Sequence, residues 1–185
     1  TDGKRVYVYF ASFGLLAYGL DGREFWRKPM PVPNSTYTAA TSPMLAGNRL
    51  IQNCDQEEGL SFLLAVDCQN GHTLWQTPRP EFATSYSTPV VWKHGEVEEI
   101  VVAGSLRVVG YSVIDGKEKW SARGLEASAV CPTPALGDGR LYAMSYTAHD
   151  SKPTPFAKWA SPKDKDGDGR ISRAEAPEVI ESGGF

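Results

Sequence analysis

The sequence predicts an all-β protein, and three observations lead to this fold class. First, the 185 residues include 18 Gly, 13 Pro, 7 Phe, 8 Tyr and 5 Trp, a composition typical of strands joined by tight turns. Second, the apolar runs are short and end at clusters of Gly, Asn, Asp or Pro. Third, several landmarks recur along the chain at a nearly constant spacing, which indicates structural repeats.

The strongest landmark is a glycine that is followed four residues later by a tryptophan. It occurs three times, as Gly22 with Trp26, Gly71 with Trp75, and Gly116 with Trp120. The glycines are 49 and 45 residues apart, and a second landmark, a Ser-Pro or Thr-Pro pair ending at Pro43, Pro89 and Pro134, recurs after 46 and 45 residues. Two independent markers therefore share a period of about 45 residues, which is typical of β-propeller blades.

Each repeat contains a turn-type cluster before a short apolar run, which predicts a hairpin leading into a strand. The runs are residues 6–8, 50–51, 100–102 and 141–142. With the glycine turn and the tryptophan, each unit is predicted to form a four-stranded antiparallel sheet. One such sheet must stack against its neighbours to bury its faces, so we predict propeller blades with the tryptophans packed between them.

The repeats predict a partial propeller in residues 1–148, with the last three strands of one blade, two complete blades and the first two strands of a fourth. A ring of seven or eight blades would need roughly 320–390 residues at this period. We expect the remainder to come from a longer polypeptide or from a second copy of the chain. A start inside a blade favours the longer polypeptide.

Residues 149–185 form a second predicted segment, because Asp164 to Glu175 matches the twelve-residue EF-hand calcium loop. Carboxylates stand at loop positions 1, 3, 5 and 12, a backbone carbonyl at 7, a water-holding hydroxyl at 9, and a glycine, Gly169, at the sharp turn of position 6. The predicted ligands are Asp164, Asp166, Asp168, Arg170, Ser172 and Glu175. The expected cofactor is therefore calcium.

Two prolines frame this loop and weaken its flanking helices. Phe156, Trp159 and Ala160 have helical spacing before the loop, but Pro162 interrupts that helix and Pro177 shortens the exit helix. No second hand is present in the sequence. We therefore expect weak binding, in the upper micromolar to millimolar range of extracellular modules, which suits a stabilising ion better than a cytosolic sensor.

Charge and cysteine content exclude several classes of function. The net charge of −3 and the scattered Lys and Arg residues provide no surface for nucleic acid, and no apolar run approaches the length that spans a membrane. Cys54, Cys68 and Cys131 fit neither a zinc site nor a disulfide framework. They are predicted to be small, partly buried side chains, although a Cys54–Cys68 bridge stays open at this point.

The segment from Ala65 to Trp75, Ala-Val-Asp-Cys-Gln-Asn-Gly-His-Thr-Leu-Trp, resembles the tryptophan-docking repeat of quinoprotein-type propellers, A-x-D-x-x-T-G-x-x-x-W. Asn70 stands where the family prefers threonine, the first copy is one residue shorter, and the third has Gly110 and Ser112 in place of Ala and Asp. The resemblance covers roughly residues 1–146. Within this superfamily the chain is similar to the PQQ-like repeat proteins that include the bacterial outer-membrane assembly lipoprotein, a group with the fold but without the quinone.

This resemblance implies a non-catalytic binding or assembly scaffold in an exported bacterial protein, in the periplasm or outside the cell. The alternative is a fragment of a quinone (PQQ)-dependent alcohol or sugar dehydrogenase. The resemblance implies adjacent cysteines, or a C-x-x-C-H segment, in such enzymes, and this sequence has neither, so the scaffold is favoured. A third hypothesis is a sensor module attached to a signalling domain beyond this chain.

The loops between blades, residues 31–42, 79–88 and 124–133, are predicted to cluster on one face of the propeller. They are rich in Ser, Thr, Ala and Tyr, and a protein or small-ligand partner is expected to bind there. Tyr37, Phe82 and Tyr86 are the candidate contact residues. The competing interpretation is that these aromatic side chains pack the loops together.

Overall fold

A computed structural model describes residues 1–82, 84–125, 127, 129–146, 158, 160–169, 171–172 and 174–175. The first two groups of strands form separate antiparallel sheets. The first blade has three strands, in chain order: β1 (Arg5–Phe10), β2 (Gly14–Gly19) and β3 (Glu24–Lys28). The second blade has four: β4 (Met44–Ala46), β5 (Arg49–Cys54), β6 (Phe62–Asp67) and β7 (Thr73–Pro78).

The second half of the propeller arc repeats this arrangement. After the short strand β8 (Thr84–Ser85), the third blade has four strands: β9 (Val90–His94), β10 (Val97–Ala103), β11 (Leu106–Ser112) and β12 (Glu118–Leu125). After β13 (Ala129–Val130), the described part of the fourth blade has two: β14 (Ala135–Gly137) and β15 (Arg140–Tyr142). The all-β fold is confirmed, and among the described residues the four blades have three, four, four and two strands.

The hydrophobic core consists of layers between adjacent blades. The middle strands β5 and β6 are buried on both faces, so successive side chains contribute to different layers. Leu50 packs with Tyr7, Leu15 and Trp26 of the first blade, whereas the next residue, Ile51, packs with Ile100 and Val109 of the third. A further layer lies between the third blade and Leu141 of the fourth. Each blade therefore depends on its neighbours for burial.

Two tryptophans lie between adjacent blades, as predicted, and the structure shows that each docks onto the glycine turn of the following blade. The indole N–H of Trp26 donates to the Cys68 carbonyl at 2.9 Å, and its ring covers Gly71 so closely that a Cβ there would lie 2.7 Å from Trp26 Cε3. Trp75 donates to the Val113 carbonyl at 3.1 Å and covers Gly116 in the same way. Both glycines have positive φ, +73° and +70°, so the turn and the contact each require glycine.

The inter-blade loops contact one another and build a continuous surface on one side of the arc. We call this surface the loop face; it consists of the described residues of the loops 31–42, 79–88 and 124–133 and of the connection 55–61. Strands β8 and β13 belong to successive loops and pair in parallel. Asn34, in the loop after the first blade, bridges to Glu58, which connects β5 to β6. The Ser61 hydroxyl, at the end of that same connection, donates to the Phe82 carbonyl at 2.6 Å. The predicted clustering of these loops is therefore confirmed.

Candidate metal centre and loop face

The acidic loop after Ala160 brings three carboxylates together. Asp164, Asp166 and Asp168 offer ligand oxygens that all lie within 4.8 Å of one another. The backbone arranges them: Gly167 N–H donates to Asp164 Oδ1 at 2.7 Å and Gly169 N–H donates to Asp164 Oδ2 at 2.9 Å. Both glycines have positive φ, +73° and +77°, so the chain curls around the first carboxylate. Oxygen atoms in a tight cluster of this kind are the ligands that calcium prefers.

Glu175 ties the end of the loop to its beginning. Its Oε1 accepts the backbone N–H of Lys165 at 2.8 Å, and its Oε2 accepts the N–H and the hydroxyl of Ser172 at 2.8 and 2.6 Å. The Ser172 hydroxyl bond and these backbone bonds lower the pKa of Glu175 to about 2. The carboxylate is therefore ionised at neutral pH and stands in the position from which it could close a coordination sphere.

Five of the six predicted calcium ligands are described, and Arg170 lies outside the described residues. Each of the three aspartates is at least partly exposed. The donor set thus fits a hard cation that takes several oxygen ligands. Phe156, Trp159 and Pro177, which entered the prediction for the flanking helices, also lie outside the described residues.

The loop face presents an aromatic pair beside a carboxylate. Tyr37 is 75% exposed and its ring meets that of Tyr86 edge to face, with centroids 6.1 Å apart. The Tyr86 hydroxyl donates to Glu57 at 3.2 Å, and the Thr36 hydroxyl donates to the same carboxylate at 2.8 Å. The Thr36 bond is the main cause of the lowered pKa of Glu57. Tyr37 is thus a surface residue, while Tyr86 is mainly buried.

Phe82, the third candidate contact residue, has a different role. It is fully buried in the core layer between the second and third blades, and the Arg79 guanidinium lies 4.0 Å above its ring. A ligand on the surface cannot reach it. The prediction that Phe82 contacts a partner is wrong, because the loop turns inward there and packs its ring beneath the neighbouring blade. The competing interpretation, an aromatic side chain that packs the loop, is confirmed.

Sequence reasoning missed a buried ion pair beneath this face. Arg79 and Asp55 are almost completely inaccessible, and the guanidinium also donates to the Tyr111 hydroxyl of the third blade. Burial is the largest single effect and lowers the pKa of Arg79, but the charge and hydrogen bonds of Asp55 together with Tyr111 outweigh it and leave that pKa raised. No periodic signal marks either residue, because both follow strand ends where the repeat is irregular.

Sequence reasoning also did not identify a cluster of polar and aromatic side chains on β9, β10 and β12 of the third blade. The carboxylate of Glu99 accepts the indole N–H of Trp120 at 2.8 Å and lies 3.1 Å from His94 Nε2. Burial raises the pKa of Glu99, but these two partners together lower it overall. Trp92 stacks on His94 with ring centroids 4.3 Å apart. The tryptophan repeat was the only sequence signal for this place.

The three cysteines carry free thiols. Cys54 and Cys68 are buried and Cys131 is exposed, so the Cys54–Cys68 bridge that the sequence left open is not formed in the structure. Burial raises the pKa of both buried thiols, which keeps them protonated and unreactive at neutral pH. Among the described residues, no helix is long and apolar enough to span a bilayer.

Stacked antiparallel blades, in which Trp26 and Trp75 at the ends of the first two cover the glycine turn of the next blade, define a PQQ-like propeller repeat protein. Comparison with known families agrees: the sequence model described as outer membrane protein assembly factor BamB matches residues 1–156. The chain therefore belongs to this family. Comparison with curated proteins finds no match.

Solved structures show the same fold. BamB from Moraxella catarrhalis is 19% identical with a TM-score of 0.61, and the match covers 78% of this chain and 44% of that protein. The quinohemoprotein alcohol dehydrogenase ADHIIG from Pseudomonas putida HK5 is 14% identical with a TM-score of 0.54, over 74% of this chain and 29% of that enzyme. The chain thus spans less than half the length of either protein.

Proposed function

We propose that this protein is a non-catalytic binding or assembly scaffold, which recognises a protein or small-ligand partner at the loop face. Membership of the BamB family over residues 1–156 is the observation that carries this proposal. The family description names an outer membrane protein assembly factor, so the favoured partner is a component of that assembly machinery, and the favoured location is the periplasm or the exterior of a bacterium.

The loop face has the physical features of a recognition surface. Loops from successive blades contact one another, so the face is held rigid and costs little conformational entropy on binding. Tyr37 offers a large exposed ring supported by Tyr86, and Glu57 and Glu58 supply negative charge at its side. Exposed tyrosine on a rigid support is typical of binding hot spots.

Site-specific photo-crosslinking tests the scaffold. A photoreactive residue at Tyr37 should link to a component of the outer-membrane assembly machinery in the native host. The matched control is the same probe at Lys93, whose side chain is 73% exposed beside the turn that joins β9 to β10. Equal products from both positions, or none from Tyr37, would contradict binding at the loop face.

The Asp164–Glu175 loop is proposed to bind one calcium ion that orders the C-terminal segment. The clustered carboxylates and the backbone-held Glu175 support this role. Calcium at millimolar concentration should raise the melting temperature, and Glu175→Gln should abolish that rise. Glu96→Gln, in the exposed turn between β9 and β10, should leave the rise intact. An unchanged melting curve for the unsubstituted protein at millimolar calcium would rule out the site.

A fragment of a quinone-dependent alcohol or sugar dehydrogenase is the second candidate. The fold similarity to the quinohemoprotein alcohol dehydrogenase favours keeping it, although that similarity concerns the fold alone. Reconstitution with pyrroloquinoline quinone distinguishes a scaffold from a dehydrogenase fragment. A scaffold should give no saturable quinone absorbance and no alcohol-dependent reduction of a dye, whereas stoichiometric quinone uptake would favour the enzyme.

A further inference from the structure

The loop face has a strong imbalance of charge. The segments that form it contain five acidic side chains and one basic side chain, Arg79. Arg79 is buried and pairs with Asp55, and Glu81 pairs with an arginine of β11. Glu57, which is partly exposed, and Glu58, which is exposed, have no basic partner among the described residues. The described part of the face is therefore negative, and it favours a positively charged partner.

Neutral donors hold these two carboxylates in place. Glu57 accepts the Thr36 hydroxyl at 2.8 Å and the Tyr86 hydroxyl at 3.2 Å, and Glu58 accepts the side-chain amide of Asn34 at 2.6 Å. The donors orient the carboxylates but carry no positive charge. A cation that approaches this surface thus meets negative charge whose position is already fixed, which lowers the entropic cost of binding.

An exposed aromatic ring belongs to the same small surface. Tyr37 follows Thr36 in the chain, is 75% exposed, and packs its ring against that of Tyr86. Thr36 and Tyr86 are also the two residues whose hydroxyls bind Glu57. The face of an aromatic ring attracts cations, and it attracts the guanidinium of arginine more often than the ammonium of lysine. The ring and the carboxylate together offer the two kinds of contact that an arginine side chain makes.

This combination of contacts already occurs within the protein. Three arginines each pair with a carboxylate while the guanidinium lies over an aromatic ring, at 5.9, 4.0 and 5.2 Å from the ring centroid: Arg27 with Glu24 and Phe13, Arg79 with Asp55 and Phe82, and Arg107 with Glu118 and Phe82. Glu24 is the best model for Glu57, because a tyrosine hydroxyl, that of Tyr18, also donates to it, at 3.4 Å. At Glu57 the hydroxyl and the ring are present, and no arginine accompanies them among the described residues.

We propose that the loop face recognises a basic segment of a protein partner, in which one arginine side chain binds the Glu57 carboxylate and covers the Tyr37 ring. Glu58 attracts a second basic residue of the same segment. Arginine suits the site better than lysine, because its planar guanidinium can stack on a ring and bind a carboxylate at the same time. The inference rests on the proposed scaffold function and adds the chemistry of the partner.

Titration with short peptides tests the preference for arginine. The probe is acetyl-Gly-Arg-Gly-Arg-Gly-amide, and two control peptides carry lysine or citrulline, which has the shape of arginine without its charge, at both arginine positions. With ¹³C-tyrosine labelling and Tyr37→Phe for assignment, the arginine peptide should shift the Tyr37 ring signals saturably at millimolar concentration. The citrulline peptide should bind at least about tenfold more weakly, and the lysine peptide at least about threefold more weakly.

A charge-neutralising variant tests the role of Glu57. Glu57→Gln should weaken binding of the arginine peptide at least about fivefold, because glutamine keeps the shape and one acceptor oxygen but not the charge. Glu96→Gln, in the exposed turn between β9 and β10, should leave the affinity unchanged. In the unsubstituted protein, raising sodium chloride from about 20 to about 500 mM should weaken binding at least about threefold, because salt screens exposed charges. This measurement does not depend on how well the variant loop folds.

Three results would overturn recognition of a basic segment: no saturable shift of the Tyr37 signals, equal binding of the citrulline peptide, or an affinity that changes with neither salt nor Glu57→Gln. Equal binding of the lysine peptide would overturn the assignment of arginine. Crosslinking from Tyr37 in the native host separates this inference from the scaffold function. A crosslinked assembly component together with any of the three results would leave the scaffold and remove the basic segment. Binding of the arginine peptide without a crosslinked component would contradict the scaffold and leave the arginine site.

Discussion

Arg79 and Asp55 form a buried ion pair in which the guanidinium donates two parallel hydrogen bonds, 2.8 Å from Nε to Oδ1 and 2.9 Å from Nη2 to Oδ2. The pair joins the ends of β7 and β5 within the second blade. Through the Tyr111 hydroxyl it also reaches the third blade. The bidentate geometry compensates both buried charges, and the Tyr111 bond links the pair to the neighbouring blade.

Asp55→Ala should lower the free energy of unfolding by about 3–5 kcal/mol, because it leaves the Arg79 guanidinium buried without its counter-charge. Urea unfolding followed by circular dichroism measures this. Asp21→Ala, in an exposed turn, is the control and should cost less than about 1 kcal/mol. Replacing both partners, with Asp55→Leu and Arg79→Met, should recover much of the loss. A single-variant loss as small as that of the control would contradict the role of the pair.

Gly71→Ala should destabilise the protein more than Gly47→Ala. Both glycines have positive φ, +73° and +60°, so alanine at either position costs about 1–2 kcal/mol of backbone strain. Only at Gly71 does the added Cβ meet the Trp26 ring, and this overpacking adds about 1–3 kcal/mol. Chemical denaturation gives the difference between the variants. Equal losses would show that the ring moves aside freely.

Glu99→Gln should reduce stability at neutral pH and should matter less in acid. Its folded pKa is lowered, so ionised Glu99 contributes stability above its ordinary pKa of 4.5, and this contribution is lost as the pH falls through the lower folded value. Melting temperatures of the two proteins should therefore differ at pH 7, and the difference should shrink as the pH falls below 4.5. A difference that stays constant over this range would mean that the carboxylate charge is not involved.

Phe82→Ala should lower the stability of the protein, whereas Tyr37→Ala should weaken partner binding and leave stability almost unchanged. Phe82 is fully buried, and truncating such a ring costs about 3–5 kcal/mol. Tyr37 is 75% exposed, so its truncation should change stability by no more than about 0.5 kcal/mol while weakening the proposed partner interaction. Thermal unfolding and crosslinking yield from a neighbouring loop position separate the two effects. A large loss of stability in Tyr37→Ala would remove it from the list of contact residues.

The sequence by itself determined the blade architecture. The glycine-to-tryptophan spacing and the Ser/Thr-Pro pairs recur because every blade faces the same packing requirement, and this periodicity predicted the strand groups and the packing of Trp26 and Trp75 between blades. The clustering of Asp164, Asp166 and Asp168 was equally readable, because these residues are close in sequence and their spacing is set by local backbone geometry.

Only the tertiary structure decided which loop residues are buried. Asp55 and Arg79 are 24 residues apart, and Phe82 becomes buried because residues from the next blade close over it. Contacts of this kind depend on how neighbouring blades stack, and the irregular loops that make them carry no period. The same reason explains Trp120: the repeat placed it correctly, but only the structure shows that its indole N–H binds Glu99.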